Sequence, residues 1–146
     1  MRFVDYVHHS IRDHDVKKLK EILDPSFTAS SGESRRNFNI NKSEDFMIGR
    51  SPLIYAIYRA KNSECENEEQ RKNSIEIIKI LIENGADINI QNKNGTSALI
   101  FACENNNFDM VKFLIDNNVD INSINKNGKS AIDITNNPEI KKILNF

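Results

Sequence analysis

Two stretches of the chain recur at a spacing of 33 residues, and that period limits the possible folds more than any other feature. Asn94-Gly95 returns as Asn127-Gly128 and Ser97-Ala98-Leu99 as Ser130-Ala131-Ile132, while Phe108, Val111 and Leu114 stand one period after Ile75, Ile78 and Leu81. A fixed period of this length means supersecondary units that stack on one another, because one such unit is too small to bury its own apolar face. In the complete copy, Asn94 to Asn122, a first apolar face comes from Ala98, Leu99 and Ala102 behind Gly95 and Ser97. A second comes from Phe108, Val111, Leu114 and Ile115. The spacing is helical, so each unit reads as a helical hairpin.

The same pattern, with interruptions, covers the whole chain. Phe3 to Leu23 reads as a first helical pair, with Val7, Ser10 and Ile11 on one face and Val16, Leu19, Ile22 and Leu23 on the next. Lys17, Lys18, Lys20 and Glu21 give it a polar outer side, as expected of a terminal unit. Asp24 to Met47 is rich in Pro, Ser and Gly and reads as a long mobile loop, either a partner-binding arm or a tolerated insertion. Within it, Arg35 and Arg36 add local positive charge, and Asn39-Ile40-Asn41 matches Asp87-Ile88-Asn89 and Asp120-Ile121-Asn122, so the regular pattern resumes there.

Gly49-Arg50-Ser51-Pro52-Leu53 then opens a helix that runs to about Ala60, with Ser51 as its cap and Pro52 at the first helical position, where a missing N–H costs nothing. The polar block Lys61 to Asn73, acidic around Glu64, Glu66, Glu68 and Glu69, reads as a solvated helix extension or loop that could be deleted without loss of the fold. Ser74 to Glu83 is the second helix of that unit, closed by Gly85 as a left-handed cap; Asn118 stands at the corresponding place one period later. The last copy is shortened, and Ile140, Ile143 and Leu144 point inward from a helix that begins at Asn137-Pro138. It reads as a terminal cap, so the stack is expected to close at both ends. Leu53, Ile78, Leu81, Leu99, Val111, Leu114 and Ile132 are expected in the core.

At these residues the chain resembles the ankyrin repeat family. SALIFAC stands for the family's TPLHLAA, FDMVKFLI for LEIVKLLL, and Gly85-Ala86-Asp87-Ile88-Asn89 for GADVN. The resemblance implies an all-α solenoid of about four helix-turn-helix repeats with finger-like β-turn loops. The single domain divides into repeat 1 at about 3–41 with loop 24–47, repeat 2 at 48–89 with insertion 61–73, repeat 3 at 90–122, and a capping repeat at 123–146. It also implies a non-catalytic, protein-binding role without cofactor or metal, through a concave groove lined by finger tips and first helices. By motif position the groove residues are Arg50, Tyr58, Arg59, Gln91, Lys93, Asn94, Thr96, Glu104, Asn105, Ile124, Lys126 and Lys129. The family's histidine in TPLH is replaced by Ile54, Ile100 and Asp133, so two apolar groups are expected to face the groove.

Charge and motif content narrow the function from the other side. A net charge of −1 speaks against a general nucleic-acid or membrane-surface role. No nucleophile motif, phosphate-binding glycine loop or metal spacing is present, and His8, His9 and His14 do not share one helical face. Cys103 occupies a small-residue position of the helix motif and reads as a buried thiol; Cys65, in the polar block, is expected to be exposed and free, which fits a cytoplasmic setting. Against this neutral background the groove residues are basic on balance, so the expected partner is a protein with an acidic surface, bound by a chain that is monomeric when free. Tyr58 and Arg59, of types enriched at interface hot spots, are expected to be solvent-facing and to matter for binding but not for folding. An immunity or accessory protein acting on one enzyme, such as a toxin or a catalase, and an effector that engages a host protein are the alternatives within the same binding role.

Overall fold

The computed structural model describes residues 2–32, 34–35, 38–42, 51–61 and 65–145. Among them are eight helices, α1 (Phe3–Arg12), α2 (Val16–Leu23), α3 (Pro52–Arg59), α4 (Glu68–Glu83), α5 (Ala98–Glu104), α6 (Phe108–Asp116), α7 (Ala131–Ile134) and α8 (Pro138–Leu144). Most are under ten residues long, too short to persist alone in water. Gly49, Arg50, Arg36 and Glu64, singled out from sequence, lie outside the described residues.

The chain divides into two units, residues 1–87 and 88–146. Both follow one packing rule. In the first, α1 and α2 form a hairpin, as do α3 and α4, and the hairpins stack with α1 on α3 and α2 on α4. In the second, α5 pairs with α6 and α7 with α8, with α5 on α7 and α6 on α8. Val7, Leu19 and Ile22 of α1 and α2 are as completely buried as Leu99, Val111 and Leu114, the equivalent residues of α5 and α6. Leu53, Ile78 and Leu81 are buried likewise, whereas Ile132 is only half-buried, on a helix of four residues.

The hairpin turns explain the polar residues between the helices. His14 (φ +54°) and Asn106 (φ +54°) take the left-handed conformation, and in each case the next residue, Asp15 or Asn107, caps the second helix by accepting a backbone N–H. Gly85 and Asn118 do the same after α4 and α6. His14 is thus a turn residue, and its Nδ1 lies 2.9 Å from Ser74 Oγ. His9 Nδ1 bonds the Asp5 carbonyl, and His8 is buried with its ring centroid 4.9 Å from that of Tyr55.

Three features depart from the sequence reading. The described part of the long loop is anchored: Thr28 and Ser34 form a β-bridge, and Phe27 and Phe38 stack on the buried Phe3 with centroids 5.8 and 4.7 Å away. Ile40 is buried as well. Secondly, α4 starts at Glu68 and not at Ser74, capped by Asn67 through Gln70 N, so the polar block is in part the helix extension that was one of its two readings, but its cap and first turns make it no dispensable insertion. Thirdly, Cys65 is buried at 6% exposure, with Sγ 3.6 Å from Ser74 Oγ and 3.7 Å from the Arg59 carbonyl. Deleting Lys61 to Asn73 would therefore remove a helix cap, the first six residues of α4 and a buried contact, and destabilise the first unit.

Burial pushes the pKa of His8 down, and the neighbouring Asp5 carboxylate offsets this only in part. In the unfolded chain His8 takes up a proton near pH 6.5, above the pH at which the folded chain does. Stability is therefore fully present above about pH 6.5 and falls below it, with a slope of at most about 1.4 kcal/mol per pH unit for one proton. Urea titrations between about pH 7.5 and 5.5 should show a shallower loss for His8→Gln than for the wild type; identical slopes would mean that His8 titrates normally in the folded chain.

Candidate functional site

In the second unit two loops, Gln91 to Ser97 and Ile124 to Ser130, form finger-like hairpins. Each is closed by one antiparallel bridge, Gln91 with Ser97 and Ile124 with Ser130. In the first, Asn92 holds the turn: its Oδ1 accepts from Asn94 N at 2.8 Å and Thr96 N at 3.0 Å, and its carbonyl accepts from Gly95 N. Asn125 makes the same bonds to Asn127 N, Lys129 N and Gly128 N. The period seen in the sequence is thus a period of hydrogen bonds.

The two fingers are also bonded to each other. Lys126 N donates to the Asn94 carbonyl at 3.1 Å, and Gln91 Nε2 donates to the Ile124 carbonyl at 3.0 Å and to the Gly95 carbonyl at 2.9 Å. Gly95 permits this approach: it has φ +71°, and a Cβ there would lie 3.0 Å from Lys126 N and 3.1 Å from Asn125 Cα. The backbone of the pair is fixed, while Gln91, Lys93, Asn94, Ile124, Lys126 and Lys129 are exposed. Ile124, 57% exposed, is the large apolar residue that stands furthest into solvent among the described residues.

The other expected site residues fall elsewhere. Thr96 is buried and offers no surface. Glu104 and Asn105 end α5: Asn105 Nδ2 caps the Phe101 carbonyl, and Glu104 borders an open pocket with Asn106, Asn137 and Glu139 that periodicity did not reveal. That pocket is bounded by the α7–α8 connection, where the last repeat is shortened. In the first unit Tyr58 and Arg59 are half-buried, which corrects their expected solvent-facing position. Lys61 Nζ lies 4.2 Å above the Tyr58 ring, and Arg59 Nη2 donates to the Arg12 carbonyl at the end of α1, so Arg59 holds two helices together. Truncating it would disturb the fold as well as any binding surface. Ile54 and Ile100 are also corrected: both are buried almost completely, filling the core where apolar groups were expected at the surface. Asp133 is exposed and caps its own helix by accepting from Ser130 N and Oγ, which lowers its pKa.

No reactive centre emerges among these side chains. Burial, with the Glu104 carboxylate adjacent, pushes the Cys103 thiol up to about 12, so it stays protonated at neutral pH. Among the described residues no group of His, Cys, Asp and Glu is arranged to hold a metal ion, and no helix is long and apolar enough to cross a membrane.

The family model described as ankyrin repeats (3 copies) matches residues 69–144, just over half of the chain. The chain belongs to the ankyrin repeat family. Its all-α repeat fold is that of the family, whose members are generally protein–protein interaction modules and typically non-catalytic. No curated protein matches the chain. The matched region begins at the second residue of α4, so α1 and α2 lie outside it, yet they repeat the turn, cap and core geometry of α5 and α6.

Finger pairing makes Gly95 and Gly128 unequal despite equivalent positions and similar φ. Gly128→Ala meets nothing within 4 Å and should lose only the left-handed strain, about 1 kcal/mol. Gly95→Ala also collides with the neighbouring finger backbone and should lose about 2 kcal/mol or more. Chemical denaturation of the two variants compares them directly; equal losses would mean that the fingers are not held together.

Proposed function

We propose that this ankyrin chain is a non-catalytic adaptor that binds another protein through its finger tips, and that the partner surface is acidic. The observation that carries the reading is the paired finger of the second unit. It is a backbone cross-braced by Lys126 N to the Asn94 carbonyl and by Gln91 to the Ile124 carbonyl, presenting Lys93, Lys126, Lys129 and Ile124 outward. A prefixed backbone loses little conformational freedom on binding, and lysines around an apolar side chain suit a carboxylate-bearing protein surface. The end of α5 at Glu104 and Asn105 is proposed as a lesser contributor within the second unit; Arg50, Tyr58 and Arg59 of the second repeat are proposed as binding residues by motif position alone, and Arg59 already serves the Arg12 carbonyl. The chain acts as a monomer in a reducing compartment, in keeping with the free thiols of Cys65 and Cys103, and we assign it to the cytoplasm.

Affinity capture from the native cell with the immobilised chain tests the proposal. A protein retained by the wild type should bind the Lys126→Glu/Lys129→Glu variant at least tenfold more weakly, since charge reversal at a docking patch turns attraction into repulsion. Lys17→Ala/Lys18→Ala, on α2, should bind as the wild type does. Equal retention by the finger variant would move the binding surface off the fingers.

A further inference from the structure

Three Asn-Gly pairs occur in the chain, Asn84-Gly85, Asn94-Gly95 and Asn127-Gly128. Such a pair can modify itself. Glycine has no Cβ to shield its backbone nitrogen or to hinder rotation, so that nitrogen can reach the carboxamide of the asparagine before it. The reaction requires the peptide unit between the two residues to turn, and every hydrogen bond made by that unit resists the turn.

The three pairs differ on this point. The Asn84 carbonyl accepts from Arg35 Nη2 at 3.2 Å, and the Asn84 side chain is tied through Nδ2 to the Ile80 carbonyl at 2.8 Å. The Asn94 carbonyl accepts from Lys126 N at 3.1 Å, and a Cβ on Gly95 would lie 3.0 Å from the same nitrogen. At Asn127 neither the carbonyl nor the side chain has a hydrogen-bond partner among the described residues. Asn127 and Gly128 are both exposed, and nothing lies within 4 Å of the place a Gly128 Cβ would take. The glycine N–H is bonded in all three pairs, to the carbonyls of Ile82, Asn92 and Asn125, and so does not distinguish them.

We propose that Asn127 is a self-modification site, converted through Gly128 to an acidic residue at the tip of the second finger. The Gly128 nitrogen attacks Asn127 Cγ and forms a C–N bond; the carboxamide nitrogen leaves as ammonia, taking the proton from Gly128 N. Water then opens the cyclic imide at one of its two carbonyls. One opening gives an aspartate, the other an isoaspartate whose chain runs through the former side-chain carbonyl. An amide and a water thus become a carboxylic acid and ammonia, with no change of oxidation state. A carboxylate appears in sequence between Lys126 and Lys129, and the formal net charge goes from −1 to −2. Resting on the protein-binding reading above, this one-way change weakens docking to an acidic partner, because it sets like charge against like.

Prolonged incubation of the full chain at mildly alkaline pH, followed by proteolytic digestion and mass spectrometry, reads each pair separately. In the folded chain conversion at Asn127 should run about fivefold or more ahead of Asn84 and Asn94, the rate ratio expected when those two must break one more hydrogen bond. In the urea-unfolded chain the three rates should draw together. Asn127→Asp, standing in for the product, should retain a finger-bound captured protein about threefold more weakly than the wild type, and Asn127→Gln should retain it as the wild type does. Equal conversion at the three pairs in the folded chain overturns the inference and leaves the adaptor role standing. So does a captured protein that Lys126→Glu/Lys129→Glu releases and Asn127→Asp retains in full. A captured protein retained by both variants overturns the adaptor role and the effect on docking with it, while the digest still decides the modification.

Discussion

In each unit an asparagine side chain bonds the backbone of the next repeat and sets the register in which the buried helix faces stack. Asn41 Oδ1 accepts the amide of Asp87 at 2.7 Å, and Asn41 Nδ2 donates to the Gly85 carbonyl at 3.1 Å. Asn89 Oδ1 accepts the amide of Asp120 at 2.8 Å. Asn41 and Asn89 both end an x-Ile-Asn tripeptide, and both recipients begin the next one. The loop after a left-handed cap leaves backbone groups with no partner inside its own hairpin. An amide side chain supplies donor and acceptor together, so it can satisfy such a loop and fix the distance to the next repeat at once.

The same chemistry accounts for much of the asparagine in the chain, 21 residues in all. Asn67, Asn107 and Asn137 cap helix starts; Asn84, Asn105 and Asn117 donate to the carbonyl one turn back at helix ends; Asn106 and Asn118 take left-handed turns; Asn92 and Asn125 hold the finger turns. Helices of seven to ten residues are marginal alone, so caps and stacking decide whether they form. Because asparagines fix the turns and fingers, the framework does not depend on the exposed side chains of Lys126, Lys129 and Ile124. That division between framework and free surface is what makes a binding role the natural reading of the second unit.

What was legible in the sequence was periodic. Leu99, Val111 and Leu114 recur with the 33-residue spacing and prove to be core, and Asn41 was placed correctly as the resumption of the pattern because its tripeptide recurs. What was missed consists of single residues acting across long sequence distances. Phe27 and Phe38 stand in polar surroundings, yet they cover Phe3. Cys65 lies in an acidic block, yet it meets Ser74 beside His14, and Arg59 serves the Arg12 carbonyl 47 residues away. Such contacts leave no periodic trace. Ile54 and Ile100 failed for the opposite reason: placing them at the surface by family position overrode the simpler inference from their apolar character, and burial decided the matter. For the candidate site, the finger residues were named by motif position, and Lys93, Asn94, Lys126 and Lys129 fall in the turns that Asn92 and Asn125 hold, whereas the cross-bracing by Gln91 had no signal in one sequence.

The asparagine bridge is best tested by three substitutions at equivalent positions. Asn41→Ala and Asn89→Ala each leave an amide of the next repeat without its acceptor and should each lose about 1 kcal/mol in urea denaturation. Asn122→Ala removes the same residue type from the same tripeptide, but its side chain makes no such bond among the described residues, and it should be nearly neutral. Losses at Asn41 and Asn89 with none at Asn122 are the predicted result. Equal effects at all three positions, or none at Asn41, would contradict the account.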